Sequence, residues 1–183
     1  KFSDKSIYNL TLFCDELIVY NQKYNLISRN SVHDIWDRHI LDSAQLLKWI
    51  SFDNNGSLSD LGTGGGFPGI ILAIFNPNPS FHVKLYEKSL VKCKFLNDII
   101  IKMKIRAKVI NIDLNYAVIE SNYVVCRAFK KLPEIIKISH EKIKVDHKLI
   151  ILKGKNAQKE INMLSEKITS VYELKDSITD KES

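Results

Sequence analysis

Apolar residues in the first fifty positions recur at intervals of three and four, the spacing that places side chains on one face of a helix. The first predicted helix begins behind the N-cap candidates Ser3 and Asp4. A second predicted helix begins at Ser31, where residues 31–34 resemble a capping box, and continues to Ile50. The chain therefore starts with two predicted helices.

The pattern then changes, and short apolar runs alternate with helical stretches. The predicted strands are 58–61, 82–87, 107–112, 123–126 and 148–152. The predicted helices are 67–75, 89–103, 131–143 and 156–167, and 170–175 is a candidate further strand. Regular alternation of strand and helix predicts an α/β fold with a doubly wound parallel sheet. We therefore divide the chain into an N-terminal helical cap, 1–54, and one α/β domain, 55–183.

The composition is that of a globular protein: 183 residues, of which 45% are hydrophobic and 26% charged. No apolar run approaches the ~18 residues of a membrane-spanning helix, and the first residues do not resemble a signal peptide. Cys14, Cys93 and Cys126 lack the spacing of a zinc site or a disulfide framework. We expect a cytoplasmic monomer with no metal and no membrane segment.

Basic side chains are concentrated in the middle of the chain. Residues 84–159 hold 18 basic and 7 acidic side chains, whereas residues 1–83 hold 6 and 8, and residues 160–183 hold 3 and 6. A basic region between acidic ends suits a phosphate-rich partner such as RNA. A solvated, lysine-rich surface explains the charge equally well, so charge alone leaves both interpretations open.

The densest local signal is a glycine-rich turn between the first predicted strand and its helix. Residues 59–69 read SDLGTGGGFPG and contain five glycines. Such a turn lets a ligand approach the backbone closely. Residues 64–69 also satisfy the dinucleotide pattern G-x-G-x-x-G, so an NAD-dependent reductase is one interpretation.

Asp60 favours a different ligand. It lies at the strand end, just before the first glycine, where a carboxylate would repel a pyrophosphate. The same carboxylate suits a ligand that carries an ammonium and a sulfonium group, which is S-adenosylmethionine. We therefore predict this cofactor, bound by Asp60, Gly62, Gly64 and Gly66.

The second and third predicted strands also end at side chains that suit an adenosine. Glu87 ends the second strand, where a carboxylate accepts hydrogen bonds from both ribose hydroxyls, a feature shared with NAD enzymes. Ile112 and Asp113 close the third strand and can flank an adenine and accept from its amino group. A plain turn residue is an equally good explanation of Asp113.

The fourth predicted strand ends in the sequence CRAF, residues 126–129, rather than in the N-P-P-[YF] motif common in enzymes that methylate exocyclic amines of bases. Cys126 lacks the preceding proline of pyrimidine-methylating enzymes and is better explained as a buried strand cysteine. These features favour a reaction that needs no protein nucleophile and little general base. Guanine N7 is such an acceptor, because its lone pair carries no proton.

The chain resembles the RsmG (GidB) family of 16S ribosomal RNA guanine-N7 methyltransferases. The matching stretches are collinear: 25–29 (NLISR), 38–43 (RHILDS), 60–69 (DLGTGGGFPG), 92–96 (KCKFL), 126–129 (CRAF) and 152–154 (LKG). The resemblance implies a Rossmann-like class I methyltransferase sheet and, as partner, 16S ribosomal RNA or the small ribosomal subunit. It also implies these cofactor-binding positions: Gly62, Phe67, Glu87, Ile112, Asp113 and Arg127.

Contacts with RNA are predicted from charge and position. Arg127 and Phe129, after the fourth strand, are candidates for positioning the target base, and an aromatic ring such as that of Phe129 can stack on it. The candidate RNA-binding residues lie on the cap or near strand ends: Arg38, His39, Lys92, Lys94, Lys130, Lys131 and Lys153. The remaining alternative is a non-catalytic RNA-binding module with a relic cofactor pocket. The closing antiparallel strand usual in such sheets is not predicted before Ser183.

Overall fold

Five parallel strands form the centre of the molecule. The computed structural model describes residues 3–53, 55–164 and 172–179. The strands are β1 (Ser57–Leu61), β2 (His82–Glu87), β3 (Ala107–Asn111), β4 (Tyr123–Arg127) and β5 (Lys148–Leu152). They pair in the order β3-β2-β1-β4-β5, all parallel. The doubly wound α/β prediction is confirmed, and each predicted strand is present.

Helices connect the strands and cover both faces of the sheet. They are α3 (Gly69–Phe75), α4 (Leu90–Met103), α5 (Leu132–Lys142) and α6 (Ala157–Asn162). Successive strand residues point to opposite faces, so Leu58 packs with Ile70 and Leu85 in one buried cluster, and Leu61 with Val124 in another. Since both faces are covered, β1 and β4 are buried along most of their length.

The first predicted helix is present as α1 (Asp4–Asn21). The Ser3 hydroxyl accepts a hydrogen bond from the Ser6 amide, at 3.1 Å, which confirms Ser3 as the N-cap. Phe13 is fully buried, with its ring centroid 5.2 Å from that of Phe67 and 6.2 Å from that of Phe95 in α4. The N-terminal helix therefore shares a core with the α/β domain and packs directly against the glycine-rich turn.

The second predicted helix begins later than expected, and the capping box at Ser31 is wrong. The Ser31 hydroxyl donates instead to the Ser28 carbonyl, at 2.8 Å, because a serine side chain close to the backbone competes with helix formation. Regular helical structure resumes at Trp36. It comprises a π-helical turn (Trp36–Leu41), α2 (Asp42–Ala44) and a 3-10 turn (Gln45–Trp49), called here helical segment 36–49.

The C-terminal predictions are tested only in part. Helix α6 ends at Asn162, and the predicted continuation at 165–167 lies outside the described residues, as do residues 170–171 of the candidate strand. Residues 172–175 are not in a strand. No helix within the described ranges is long and apolar enough to cross a membrane. Within those same ranges, no group of three His, Cys, Asp or Glu side chains is placed to hold a metal ion.

Candidate cofactor and substrate site

The glycine-rich loop, residues 62–68, joins β1 to α3 at the carboxyl edge of the sheet. The amides of Gly62 and Thr63 donate to the Tyr86 carbonyl of β2, at 2.9 and 3.1 Å. Gly62 has a φ of 68°, and a Cβ there would collide with the Phe129 ring. Only glycine fits this position without strain, and Phe129, the predicted stacking residue, lies directly on the loop.

Gly64 is the loop position that is open to a ligand. Its φ is 59°, and a Cβ there would have a single protein atom within 4 Å, the Gly62 carbonyl oxygen at 3.8 Å. A backbone without a side chain, facing open space, permits close approach by a ligand. The loop therefore fits the predicted cofactor at Gly64.

Asp60 lies beneath this loop and is fully buried. Its Oδ2 accepts a hydrogen bond from the Gly69 amide at 2.8 Å, whereas Oδ1 has no hydrogen-bond partner among the described residues. Burial raises the pKa of Asp60 to about 6, although the Gly69 amide and the Arg127 charge act to lower it. An unpaired carboxylate oxygen under the loop favours positive charge above it, as a sulfonium cofactor supplies.

Glu87 faces the same loop from the end of β2. Its Oε2 accepts from the Gly64 amide at 3.1 Å, and its Oε1 accepts from the Ser89 amide at 2.8 Å. The residue is 8% exposed. Each carboxylate oxygen has two lone pairs, so both can also accept from a ribose. The structure thus brings together the predicted ribose acid and the predicted glycine.

Ile112 and Asp113 follow β3 and are half-buried. The Ile112 amide donates to the Glu87 carbonyl at 3.2 Å, which places this turn beside the end of β2. The Asp113 Oδ1 accepts from the Asn115 amide at 2.9 Å and caps a short 3-10 turn. Asp113 is therefore a turn residue here, and its contact with an adenine stays a prediction.

Arg127 ends β4 and contacts helical segment 36–49. Its Nη1 donates to the Arg38 carbonyl at 2.6 Å and to the Asp42 carboxylate at 3.3 Å, and its Nη2 contacts His39 Nδ1. The guanidinium carbon lies 5.2 Å from the centre of the Phe67 ring. Two predicted cofactor residues, Phe67 and Arg127, are thus in contact with each other.

Asp42 lies on the same helical turn as Arg38 and His39 but is not among the site residues predicted above. Its spacing of four residues from Arg38, which puts both on one face of a helix, was an available signal. His39, predicted to contact RNA, is half-buried and stacks on Phe67, with 4.9 Å between ring centroids. The Arg38 side chain is exposed, as an RNA contact requires.

Cys126 is fully buried in β4. Burial, with a smaller effect from Asp60, raises the pKa of its thiol to about 12, so the nucleophilic thiolate is scarce at neutral pH. This confirms the interpretation of Cys126 as a buried strand cysteine.

The candidate RNA-binding lysines differ in how they are paired. Lys130 forms an ion pair with Glu134 at 3.0 Å, and its Nζ lies 5.7 Å from the centre of the Phe129 ring. Lys153 forms an ion pair with Glu160 at 2.7 Å. Lys94 and Lys131 are exposed and Lys92 is half-buried. Lys131 is therefore better placed than Lys153 to meet a phosphate.

The strand order β3-β2-β1-β4-β5 and the glycine-rich loop after β1 are those of a Rossmann-like fold, and solved methyltransferases share this fold. A SAM-dependent methyltransferase from Aquifex aeolicus superposes with a TM-score of 0.51 at 17% identity, over 64% of this chain and 65% of that one. Coclaurine N-methyltransferase, solved with SAH, gives a TM-score of 0.50 at 16% identity, over 60% of this chain and 34% of that one.

Sequence similarity narrows the class to one family. The model of the GidB family, rRNA small subunit methyltransferase G, matches residues 6–183. Ribosomal RNA small subunit methyltransferase G of Rickettsia akari is 37% identical over 181 residues, 98% of this chain and 92% of that protein. The protein of the same name from Pelagibacter ubique is 33% identical over 184 residues, 98% and 86% of the two chains. The chain belongs to the GidB family.

Proposed function

We propose that this protein transfers a methyl group from S-adenosylmethionine to N7 of a guanine in the 16S ribosomal RNA of the small subunit. Membership of the GidB family over residues 6–183 is the observation that carries the proposal. The relatives named above are ribosomal RNA small subunit methyltransferases. Neither the reductase nor the non-catalytic alternative has comparable support. The protein is expected to act in the cytoplasm, where ribosomal subunits are made.

The residues that would hold the cofactor meet at the carboxyl edge of the sheet. The open backbone at Gly64 and the carboxylate of Glu87 would bind its adenosine part, together with Ile112 and Asp113. Asp60 beneath the loop would favour its positive charge. When bound, S-adenosylmethionine supplies an electrophilic methyl group on sulfur.

The protein side of the reaction is mainly positioning. Guanine N7 has a free lone pair, so no side chain needs to remove a proton from it. The protonated Cys126 thiol is consistent with such a mechanism. Phe129 and Arg127, at the end of β4, would hold the base, since a near-attack geometry supplies much of the rate for an intrinsically nucleophilic acceptor.

The proposal is tested by incubating the full chain with S-adenosylmethionine and either protein-free 16S RNA or small subunits that lack the modification. Borohydride and aniline treatment cleaves RNA at N7-methylguanine. We expect cleavage at one guanine with wild-type protein and with Lys48→Ala, an exposed control, and loss of cleavage with Arg127→Ala. If neither RNA is cleaved after treatment with the wild-type protein, the proposal is contradicted.

A further inference from the structure

Helical segment 36–49 presents three acceptors to one guanidinium group. The Arg38 carbonyl and the Asp42 carboxylate lie 2.6 and 3.3 Å from Arg127 Nη1, and His39 Nδ1 contacts Nη2. All three come from one π-helical turn and the residue that follows it. Because the guanidinium donors lie in one rigid plane, contacts at both terminal nitrogens fix the orientation of the group.

His39 also contacts the glycine-rich loop. Its ring stacks on that of Phe67 with 4.9 Å between centroids and 26° between planes. The Arg127 guanidinium carbon lies 5.2 Å from the centre of the same ring. Phe67 is 4% exposed and also packs against Phe13. His39 therefore lies between the loop and the end of β4, in contact with both.

The protonation state of His39 suits an acceptor. Burial, together with the nearby Arg127 and Arg38 charges, lowers the pKa of His39 to about 4. A neutral imidazole accepts at one nitrogen and donates at the other, so acceptance at Nδ1 places the proton on Nε2. Nε2 is buried and has no hydrogen-bond partner within the described ranges. Such an atom costs stability, so the placement of His39 is not explained by packing alone.

We infer that His39 and Asp42 are positioning residues for methyl transfer, which hold the Arg127 guanidinium beside the glycine-rich loop. The inference rests on the proposed function, in which Arg127 takes part in the cofactor and substrate site. In this inference His39 contacts Arg127 and is not the RNA-binding residue that the sequence had predicted. A purely structural role, in which the cluster only docks the N-terminal cap, makes a different prediction for combined variants.

The first test compares two substitutions of His39. His39→Leu keeps apolar bulk but removes the acceptor, whereas His39→Asn returns an acceptor oxygen close to the position of Nδ1. We expect His39→Leu to weaken S-adenosylhomocysteine binding and to slow methyl transfer by about tenfold, as for the loss of a hydrogen bond to a charged group. His39→Asn should recover most of both. The exposed neighbours His33→Leu and Asp37→Asn serve as matched controls and should change neither.

A double-mutant cycle separates positioning from structure. If His39 acts through Arg127, His39→Leu has no further effect on S-adenosylhomocysteine binding in an Arg127→Ala protein. Asp42→Asn is tested in the same cycle. If His39→Leu does not fold, Asp42→Asn distinguishes a positioning role from a purely structural one. The inference would be overturned if the losses of affinity in His39→Leu and Arg127→Ala added in the double variant. It would also be overturned if Arg127→Ala kept full binding and activity. If wild-type protein methylates no RNA, the proposed function fails, and the cycle measured on S-adenosylhomocysteine binding still decides the inference.

Discussion

The two edges of the parallel sheet differ in how their polar groups are satisfied. The amino edge holds a cavity of about 520 Å³, lined by residues such as Gly56, Asn122 and His147. There the Asn122 Oδ1 accepts from the Ser57 amide at 3.1 Å, and His147 Nε2 lies 2.6 Å from the Ser139 hydroxyl. The carboxyl edge has the opposite character, with buried side-chain atoms that lack a partner in the described part of the chain: His39 Nε2, Asp60 Oδ1, Thr63 Oγ1 and Arg127 Nε.

The contrast shows that cavity volume does not locate the site of this protein. Ligands of open α/β sheets bind outside the carboxyl ends of the strands, and this is the edge with the unsatisfied groups. Since an unpaired buried polar atom costs about 1–3 kcal/mol, several of them around one loop are more informative than a cavity whose lining contains none of them.

Gly64→Ala is expected to have the largest effect, because it puts a methyl group into the space above the loop. Overpacking costs about 1–3 kcal/mol, so the affinity for S-adenosylhomocysteine should fall by about five- to 150-fold. Calorimetric titration measures the affinity, and circular dichroism confirms the fold. Gly154→Ala, at an exposed glycine with no atom within 4 Å of an added Cβ, is the control. Unchanged affinity in folded Gly64→Ala would remove the loop from the cofactor site.

Glu87→Gln should have a smaller effect on the same affinity. The amide retains one acceptor oxygen, but its NH₂ group would face either the Gly64 or the Ser89 amide, which now donate to the carboxylate. We expect about tenfold weaker binding of S-adenosylhomocysteine, since a hydrogen bond to a charged group is lost. Glu141→Gln, an exposed surface change, should leave the titration unaltered. If Glu87→Gln and Glu141→Gln bind S-adenosylhomocysteine with equal affinity, Glu87 contacts the loop but does not contribute to cofactor binding.

Asp60 and His39 are expected to change the stability of the protein with pH in opposite directions. The folded-state pKa of Asp60 is raised to about 6, so below that pH the folded state holds a proton that the unfolded state releases, and this group adds stability as pH falls from about 6 to 4. The folded-state pKa of His39 is lowered to about 4 from 6.5, so this group removes stability as pH falls through the same range.

Substituting either residue should therefore expose the effect of the other. Between pH 6.5 and 4.5, the free energy of unfolding should fall more steeply with acid in Asp60→Asn than in wild type, and less steeply in His39→Leu. Urea denaturation at a series of pH values measures both slopes. If the free energy of unfolding has the same pH dependence in all three proteins, the pKa values of Asp60 and His39 do not differ between the folded and unfolded states in the way stated.

The smallest expected effect concerns the lysines near the carboxyl edge. If exposed Lys131 meets a phosphate, Lys131→Ala should reduce the slope of log affinity for RNA against log salt by roughly 0.7–0.9. Lys137→Ala, also exposed on α5, should leave the slope unchanged. Filter binding between about 50 and 200 mM salt measures both. A wild-type affinity insensitive to salt would leave the basic middle of the sequence as a solvated surface.

The sheet could be predicted because its signals are local. β1, β4 and β5 are short strands with Gly, Asp or Asn within two residues of an end, so these ends are marked in the sequence itself. The capping box predicted at Ser31 was wrong because a serine hydroxyl can either cap a helix or donate to a nearby backbone carbonyl. Here it donates to the Ser28 carbonyl, and the sequence pattern does not distinguish the two hydrogen bonds.

The site could be predicted only in part, for a related reason. Strand ends converge at one edge, so Asp60, Glu87 and Arg127 follow from topology. The contact of Arg127 with His39 and Asp42 depends on how helical segment 36–49 packs across the sheet, 85 residues away in the sequence for Asp42. No spacing rule connects such distant positions.

The residues at the carboxyl edge suit a sulfonium cofactor rather than a dinucleotide. This assignment is tested most directly by calorimetric titration of the wild-type protein with S-adenosylhomocysteine and, separately, with NAD. We expect saturable binding of one S-adenosylhomocysteine per chain and no binding heat with NAD. Saturable binding of NAD without binding of S-adenosylhomocysteine would contradict the assignment.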